Sequence, residues 1–390
     1  MPSLIFNPGK ELRLHNGHPW VYEGEVETIR GTVEDGDIVE LRDARDRFLG
    51  QGYVNRRSQI IARLLTTSRR PVDADFFRQR LGAAIAFRNR FVHGTNAYRV
   101  VYSESDLLPG LIVDRYGPYL VVQVLTLGMA RWKETVLDVL SEALRPEGIY
   151  ERSDVSVREH EGLPQTKGLV RGACPAEVRI EEGSTTFLVD LVNGQKTGFF
   201  LDQRENRGAV CRLTSGARVL DGFCYTGGFG LAAAAGGAVE VTGIDLSASA
   251  VAMAERNAAL NQMADRCRFR VGNMFDELRT YEAQRTRFDV IILDPPSFTR
   301  GKSSLAGATR GYKEINLRAM KLLTPGGYLV TCSCSYHMTE PLFREMLVEA
   351  ARDAERTARI VETRTQAADH PILLAARETQ YLKCLILQVF

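Results

Sequence analysis

The chain lacks the features that would send it into a membrane or an oxidising compartment. No run approaches the ~20 consecutive apolar residues that a membrane-spanning helix needs. The opening MPSLIFNPGKELRLHNGHPW has no basic segment leading into a long apolar core, so no signal peptide is expected. Cysteine is scarce: seven in 390 residues, an odd number, scattered, with no C-x-x-C pair. That argues against a disulfide framework or a zinc ribbon and fits free thiols in a reducing cytosol, so a cytoplasmic protein is expected. The glycine-rich turn VLDGFCYTGGFG contains no G-K-[ST], which argues against a P-loop there, and it does not follow the G-x-G-x-x-G nicotinamide pattern.

What is present is ordinary soluble globular composition, 44% hydrophobic and 25% charged. The length argues for two or three domains. The net charge of +2 is unevenly spread. Residues 47–103 hold eleven arginines against two acids, Asp73 and Asp75, so this stretch carries +9 and the remainder −7. Arginine without lysine suits bidentate phosphate contact, so the basic stretch reads as a nucleic-acid footprint.

The first ~70 residues read as short strands with turns, in VEDGDIVELRD, RFLGQGYVN and QIIARLL, a small β-barrel-like module. Pro71 marks a boundary. A helix capped by Asp73 or Asp75 is expected over DADFFRQRLGAAIAFRNRF. A central α+β region follows, with hairpins in YRVVYSESDLLPGLIVDRYGPYLVVQVL, an amphipathic helix stopped at Pro146, and a further hairpin at Asn193-Gly194. From about residue 217 the rhythm becomes strand, glycine turn, helix. Five apolar strand candidates predict a doubly wound α/β sheet.

The ends of those strands carry the candidate chemistry. VLDGFCYTGGFG ends a strand at Asp221 and turns through four glycines, which lets backbone approach a ligand. Asp245, in VTGIDLS, is an acid placed to accept both hydroxyls of a ribose. Asn273 and Met274 stand at the next strand end, where an adenine edge would sit. Together these point to an adenosine-bearing ligand. In IILDPPSF, Asp294 precedes the stiff Pro295-Pro296 turn, with Phe298 beside it, an arrangement suited to binding and stacking a flipped base.

The series LDGFCYTGGFG, GIDLS, GNMF, LDPPSF, RGYKEINLRA and SCSYHMTEPLF, with NGQKTGFFLDQRENR, resembles the class I S-adenosylmethionine (SAM)-dependent 5-methylcytosine methyltransferases of large-subunit (23S) rRNA, the RlmI-like group. The resemblance covers essentially the whole chain. It implies a PUA-like RNA-binding domain (1–72), a central α+β domain (73–187) and a Rossmann-like methyltransferase domain (188–390). It implies methionine-end contacts from Phe223, Tyr225, Thr226 and Gly227, a ribose acid in Asp245 with Leu246 beside it, and an adenine site at Asn273 and Met274. Many relatives have Asp at Asn273. Thr197, Asp202 and Arg204 would close over the cofactor, and Asp294 would border it. The partner implied is 23S rRNA or a large-subunit assembly intermediate, with no membrane; a homodimer is implied by resemblance only.

The same resemblance explains a thiol. C5 of free cytosine is a poor nucleophile; a thiolate adding to C6 turns the ring into an enamine whose C5 can attack the sulfonium methyl. VTCSCS supplies Cys332 and Cys334, two apart on one strand face. Cys334 is later in the strand and matches S-C-S, so it is the expected nucleophile and Cys332 a buried strand residue. Asp294 would hydrogen-bond the N3/N4 edge of the base, and the proton-abstracting base stays open among Asp294, a water and His337. Ser297 stands where two-cysteine enzymes carry their second thiol. Cys332, Cys334 and His337 lack a fourth ligand and zinc-like spacing, so no metal is expected. Lys302, Arg310 and Lys313 are candidates for phosphate contact, with Tyr312 stacking. Two rival readings stay open: a guanine methyltransferase in which Cys334 is structural, and a non-catalytic RNA-binding assembly factor.

Overall fold

The structure, a computed structural model, describes residues 1–299, 301 and 304–390. Lys302 lies outside the described residues. The chain forms two compact units: Met1–Ile180 with Val189–Leu201 and Ala368–Thr379, and Glu181–Leu188 with Asp202–Ala367 and Gln380–Phe390. Among the described residues no helix is long and apolar enough to cross a membrane.

The first unit holds two sheets. Strands β1 (Ser3–Phe6), β2 (Trp20–Val21), β3 (Val26–Arg30), β4 (Ile38–Arg42), β5 (Phe48–Val54) and β6 (Ala62–Thr66) form one, in the order β2-β6-β5-β4-β1-β3. The other contains β7 (Ala97–Tyr102), β8 (Leu111–Tyr116), β9 (Tyr119–Val124), β10 (Gly148–Ser153) and β11 (Thr166–Gly172), in the order β11-β10-β9-β8-β7. The expected hairpins β7–β8 and β8–β9 are both antiparallel. The helix Ala74–Phe91 begins where Asp73 accepts a hydrogen bond from the Phe76 N–H at 3.0 Å. It buries Phe76, Phe77, Leu81 and Ala84 with Tyr53 and Leu65 of the first sheet in one apolar cluster.

The basic stretch is not a free cationic face. Arg63, Arg88 and Arg99 are buried against Glu161 (2.8 Å), Asp106 and Asp114 (2.7 Å). Arg47, Arg56 and Arg69 pair with Asp43, Asp35 and Glu40. These acids lie outside residues 47–103, so folding offsets much of the charge excess that the linear count assigns to that stretch.

A two-stranded ribbon of β12 (Glu177–Glu182) and β13 (Thr185–Asp190) follows, turning at Gly183. The hairpin expected at Asn193-Gly194 does not form. Asp190 Oδ1 accepts from the N–H groups of Val192 and Asn193, and the Asp190 carbonyl accepts from Gly194 N–H. Arg152 then binds the Leu191 and Gly194 carbonyls. The turn is closed by these local and side-chain bonds, with no returning strand to pair.

The second unit is built on a seven-stranded sheet of β14 (Arg218–Gly222), β15 (Glu240–Asp245), β16 (Cys267–Val271), β17 (Phe288–Leu293), β18 (Leu323–Ser333), β19 (Ala358–Arg364) and β20 (Lys383–Val389). The order is β16-β15-β14-β17-β18-β20-β19. The first five are parallel, the expected doubly wound strands, while β20 runs antiparallel between β18 and β19. Val290 to Leu293 of β17 are fully or almost fully buried, as suits a parallel strand covered on both faces. Strand order reverses between β14 and β17, and ligands in such sheets bind beyond the carboxyl ends at that point.

Candidate active site

At the reversal, Gly222 of β14 is in register with Leu293 of β17, and the next N–H, of Asp294, reaches the Gly222 carbonyl at 3.4 Å. The turn after β14 is shaped by three left-handed residues, Phe223, Tyr225 and Gly227. Glycine takes φ of +83° freely at 227; Phe and Tyr do so at a cost, a form of strain that gathers at functional loops. A Cβ on Gly222 would stand 2.9 Å from Met274 Sδ, so the Met274 side chain packs close against the bare backbone of Gly222. The Met274 side chain is therefore core, leaving its backbone for any ligand.

Asp221 is completely buried. Its Oδ2 accepts from Gly230 N–H at 2.7 Å, while Oδ1 has no partner among the described residues. Burial pushes its carboxyl up to about 8; the Gly230 bond opposes this, and Asp294 and Asp245 add to it. Asp245 receives the N–H of Tyr225 on Oδ2 and of Ser247 on Oδ1, both at 2.9 Å, which fixes the carboxylate and leaves each oxygen further acceptor capacity. Beside it, Leu246 is 68% exposed, and Val271 ends the next strand 52% exposed. Asn273 caps the helix Met274–Ala283, its amide oxygen accepting from Phe275 N–H at 3.0 Å. Thr226 Oγ1 is buried without a partner among the described residues. A fixed carboxylate, exposed apolar faces and a left-handed turn suit the ribose, the flat base and the amino-acid end of an adenosyl amino acid, so these residues fit SAM.

The Asp294-Pro295-Pro296 turn and the end of β18 are joined by hydroxyls. Ser333 Oγ donates to Tyr312 OH (3.1 Å), Tyr312 OH to Ser335 Oγ (2.9 Å), Ser335 Oγ to Ser297 Oγ (2.8 Å), and Ser297 Oγ to the Thr299 carbonyl (2.7 Å). The serines on both sides of Cys334 are thus pinned, and the thiol, half-buried one residue beyond β18, is carried between them. Cys332 is fully buried opposite Cys384. Its thiol is pushed up by hydrogen bonding with Cys384 and by burial, which keeps it protonated and inert. Lys383 Nζ donates to the Ser335 carbonyl at 2.6 Å and the Tyr381 carbonyl at 2.8 Å. Burial pushes the Lys383 ammonium down to about 8, while Cys334 pulls the other way.

Several expected contacts fall elsewhere. Tyr312 is completely buried between Phe298 and Phe343, so it cannot stack on RNA; it holds the cysteine loop instead. Lys313 is engaged by Glu349 (3.0 Å) and Asp353 (2.8 Å) rather than presented to phosphate. Thr197 belongs to the first unit, where its buried hydroxyl donates to Asp114 and accepts from Tyr116. Asp202 and Arg204 are buried in the second unit; Asp202 accepts from Tyr381 OH at 2.5 Å. Phe298 is half-buried among Phe223, Phe275 and Tyr312. Pro295 is buried and Pro296 exposed. His337 lies against the edge of Tyr336. The sequence reading overlooked Lys383, although one lysine heading the apolar run CLILQVF signals a buried charge.

Fold and site together define a class I SAM-dependent methyltransferase carrying a small N-terminal β-sheet module. A family model for S-adenosylmethionine-dependent methyltransferases matches residues 160–386, and one for PUA-like domains matches residues 4–67. The chain is 45% identical to ribosomal RNA large subunit methyltransferase I of Aeromonas hydrophila, covering 99% of both chains. It is 43% identical to the protein of that name from Shewanella denitrificans, with the same coverage. It belongs to the ribosomal RNA large subunit methyltransferase I family. Among solved structures, one described as a SAM-dependent methyltransferase of Streptococcus mutans has the same fold (TM-score 0.85, 21% identity, 100% of both chains). Another, described as a methyltransferase complexed with SAH, also shares it (TM-score 0.86, 22% identity, 100% of both chains).

Proposed function

We propose that this protein methylates C5 of one cytosine in large-subunit rRNA through a covalent adduct with Cys334, as a cytoplasmic enzyme. The observation that carries the reading is the Ser297–Ser335 hydrogen bond. It ties the turn that follows Asp294 to the loop that holds Cys334, which supports a shared site for a base-binding carboxylate and a nucleophile. The names of the full-length relatives support the rRNA substrate, and the PUA-like domain supports RNA binding.

SAM supplies the methyl group on its sulfonium. Asp245 and Leu246 would take its ribose, Asn273 and the Met274 backbone its adenine, and the turn Phe223–Gly227 its methionine end. The flipped cytosine would lie on Pro296 and the exposed part of Phe298, its N3/N4 edge on Asp294, with the buried Pro295 stiffening the turn beneath. The Cys334 thiolate would add to C6, raising electron density at C5, and would leave after C5 is methylated and has lost its proton.

The test is nucleoside mass spectrometry of deproteinised large-subunit rRNA, taken from cells lacking the enzyme, after incubation with the protein and methyl-labelled SAM. Labelled 5-methylcytidine is expected. Labelled methylguanosine instead would overturn the cysteine mechanism and leave Cys334 a structural residue.

A further inference from the structure

We infer that Lys383 holds the proton of Cys334, so that the nucleophile stands as a thiolate beside a buried ammonium. The inference rests on the cysteine reading above and deepens it.

Lys383 heads β20 and is in register with Ser333, the residue before Cys334. Its Nζ reaches the carbonyl of Ser335, the residue after Cys334. The amine is therefore bracketed to the stretch of backbone that carries the thiol, and only 8% of Lys383 is exposed. An ammonium buried without a counter-ion costs several kcal/mol, so such a group either loses its proton or faces an anion. Among the described residues its two hydrogen-bond acceptors are neutral carbonyls, and Cys334 is the titratable group whose charge acts on it.

The other titratable groups around it are committed elsewhere. Glu340 and Arg364 line the same cleft of about 150 Å³. Glu340 pairs with Arg344 at 2.6 Å and Arg364 with Glu362 at 2.6 Å. Cys384, also in the cleft, is taken by Cys332. The Tyr381 hydroxyl donates to Asp202, and the Tyr312 hydroxyl to Ser335.

The step balances within the pair. The S–H bond of Cys334 breaks and its proton bonds to the lone pair of Lys383 Nζ, giving thiolate and ammonium. The sulfur lone pair then forms the S–C6 bond, and at expulsion the thiolate returns to the same ammonium. Lys383 acts through Cys334 and is a positioning residue.

The test follows alkylation of Cys334 by iodoacetamide against pH in the full-length protein, read by mass spectrometry of the peptide that carries it. Wild type, Lys383→Met and Lys383→Arg are compared. The wild-type midpoint is expected well below the ~8.5 of a free thiol. Lys383→Met should raise it and slow alkylation at pH 7 by about ten-fold, one unit being a ten-fold change in thiolate; Lys383→Arg should keep most of the rate. A wild-type midpoint at or above that of a free thiol, or one that Lys383→Met leaves in place, overturns the pairing. Should Lys383→Met fail to fold, the wild-type profile decides alone. Full methyl transfer by Cys334→Ala would sink the cysteine reading, whereas an unshifted thiol sinks only the pairing.

Discussion

Buried charge is handled in opposite ways in two regions of the molecule. In the first unit, Arg63, Arg88 and Arg99 each meet a carboxylate, and Asp114 is completely buried with Arg99 on both oxygens. At the strand ends of the second unit, Asp221 is completely buried with one oxygen unpartnered, and Lys383 is held by neutral carbonyls. A paired buried charge adds little net stability but is costly to break, so it serves as scaffolding. A buried group with no carboxylate or guanidinium partner has a displaced proton affinity and can serve chemistry.

The sharpest way to break the comparison is to remove the group that the second region serves. Cys334→Ala is expected to lower methyl transfer to rRNA by about a thousand-fold or more, the scale of losing a covalent nucleophile. SAM binding by calorimetry and the urea midpoint should barely move. Residual activity within ten-fold of wild type would make the thiol structural.

The first region should answer in stability. Arg99→Met leaves Asp114 buried with, among the described residues, the Thr197 hydroxyl as its remaining side-chain donor, and a loss of about 3–5 kcal/mol is expected in urea unfolding. Replacing both partners, Arg99→Met with Asp114→Leu, should recover much of it. A single-variant loss below about 1 kcal/mol would contradict the view of this pair as scaffolding.

Asp221 should answer in pH dependence. Its carboxyl ordinarily titrates at 3.8 and is pushed to about 8 by burial, with Asp294 and Asp245 adding to the rise. Between those values the folded protein keeps a proton that the unfolded chain has released. The stability linked to this group is therefore complete below about pH 4 and is lost as pH rises to about 8. Asp221→Asn keeps an oxygen for Gly230 N–H and cannot titrate, so its unfolding free energy should fall less than wild type from pH 5 to pH 8. Parallel curves would mean that Asp221 is ionised in the fold.

Much of the second unit was legible because its chemistry sits where local sequence changes character. Apolar runs ending at Asp221, Asp245 and Asp294 marked strands β14, β15 and β17 and their functional ends together. The edge strand β19, ARIVETR, has no fully buried residue and so carries no apolar rhythm. The first unit misled in charge because Arg63 meets Glu161 and Arg88 meets Asp106 only after folding. Tyr312 misled for a different reason. Its basic neighbours suggested RNA, yet Ala308, Tyr312, Ile315, Ala319 and Met320 repeat at helical spacing and share the buried face.

Tyr312 also gives the finest test of the comparison, since it is uncharged and tied to both serines that flank the nucleophile. Tyr312→Phe removes the acceptor for Ser333, which is fully buried, and the donor to Ser335. About 1–2 kcal/mol of stability should go with the unsatisfied hydroxyl. If the hydroxyl chain also aims Cys334, kcat should fall about three- to ten-fold with KM for RNA unchanged, a shift of the order of 1 kcal/mol in the barrier. A loss of stability with kcat intact would place Tyr312 with the scaffolding pairs of the first unit. The aim of the thiol would then rest on the Ser335 carbonyl and the lysine that binds it.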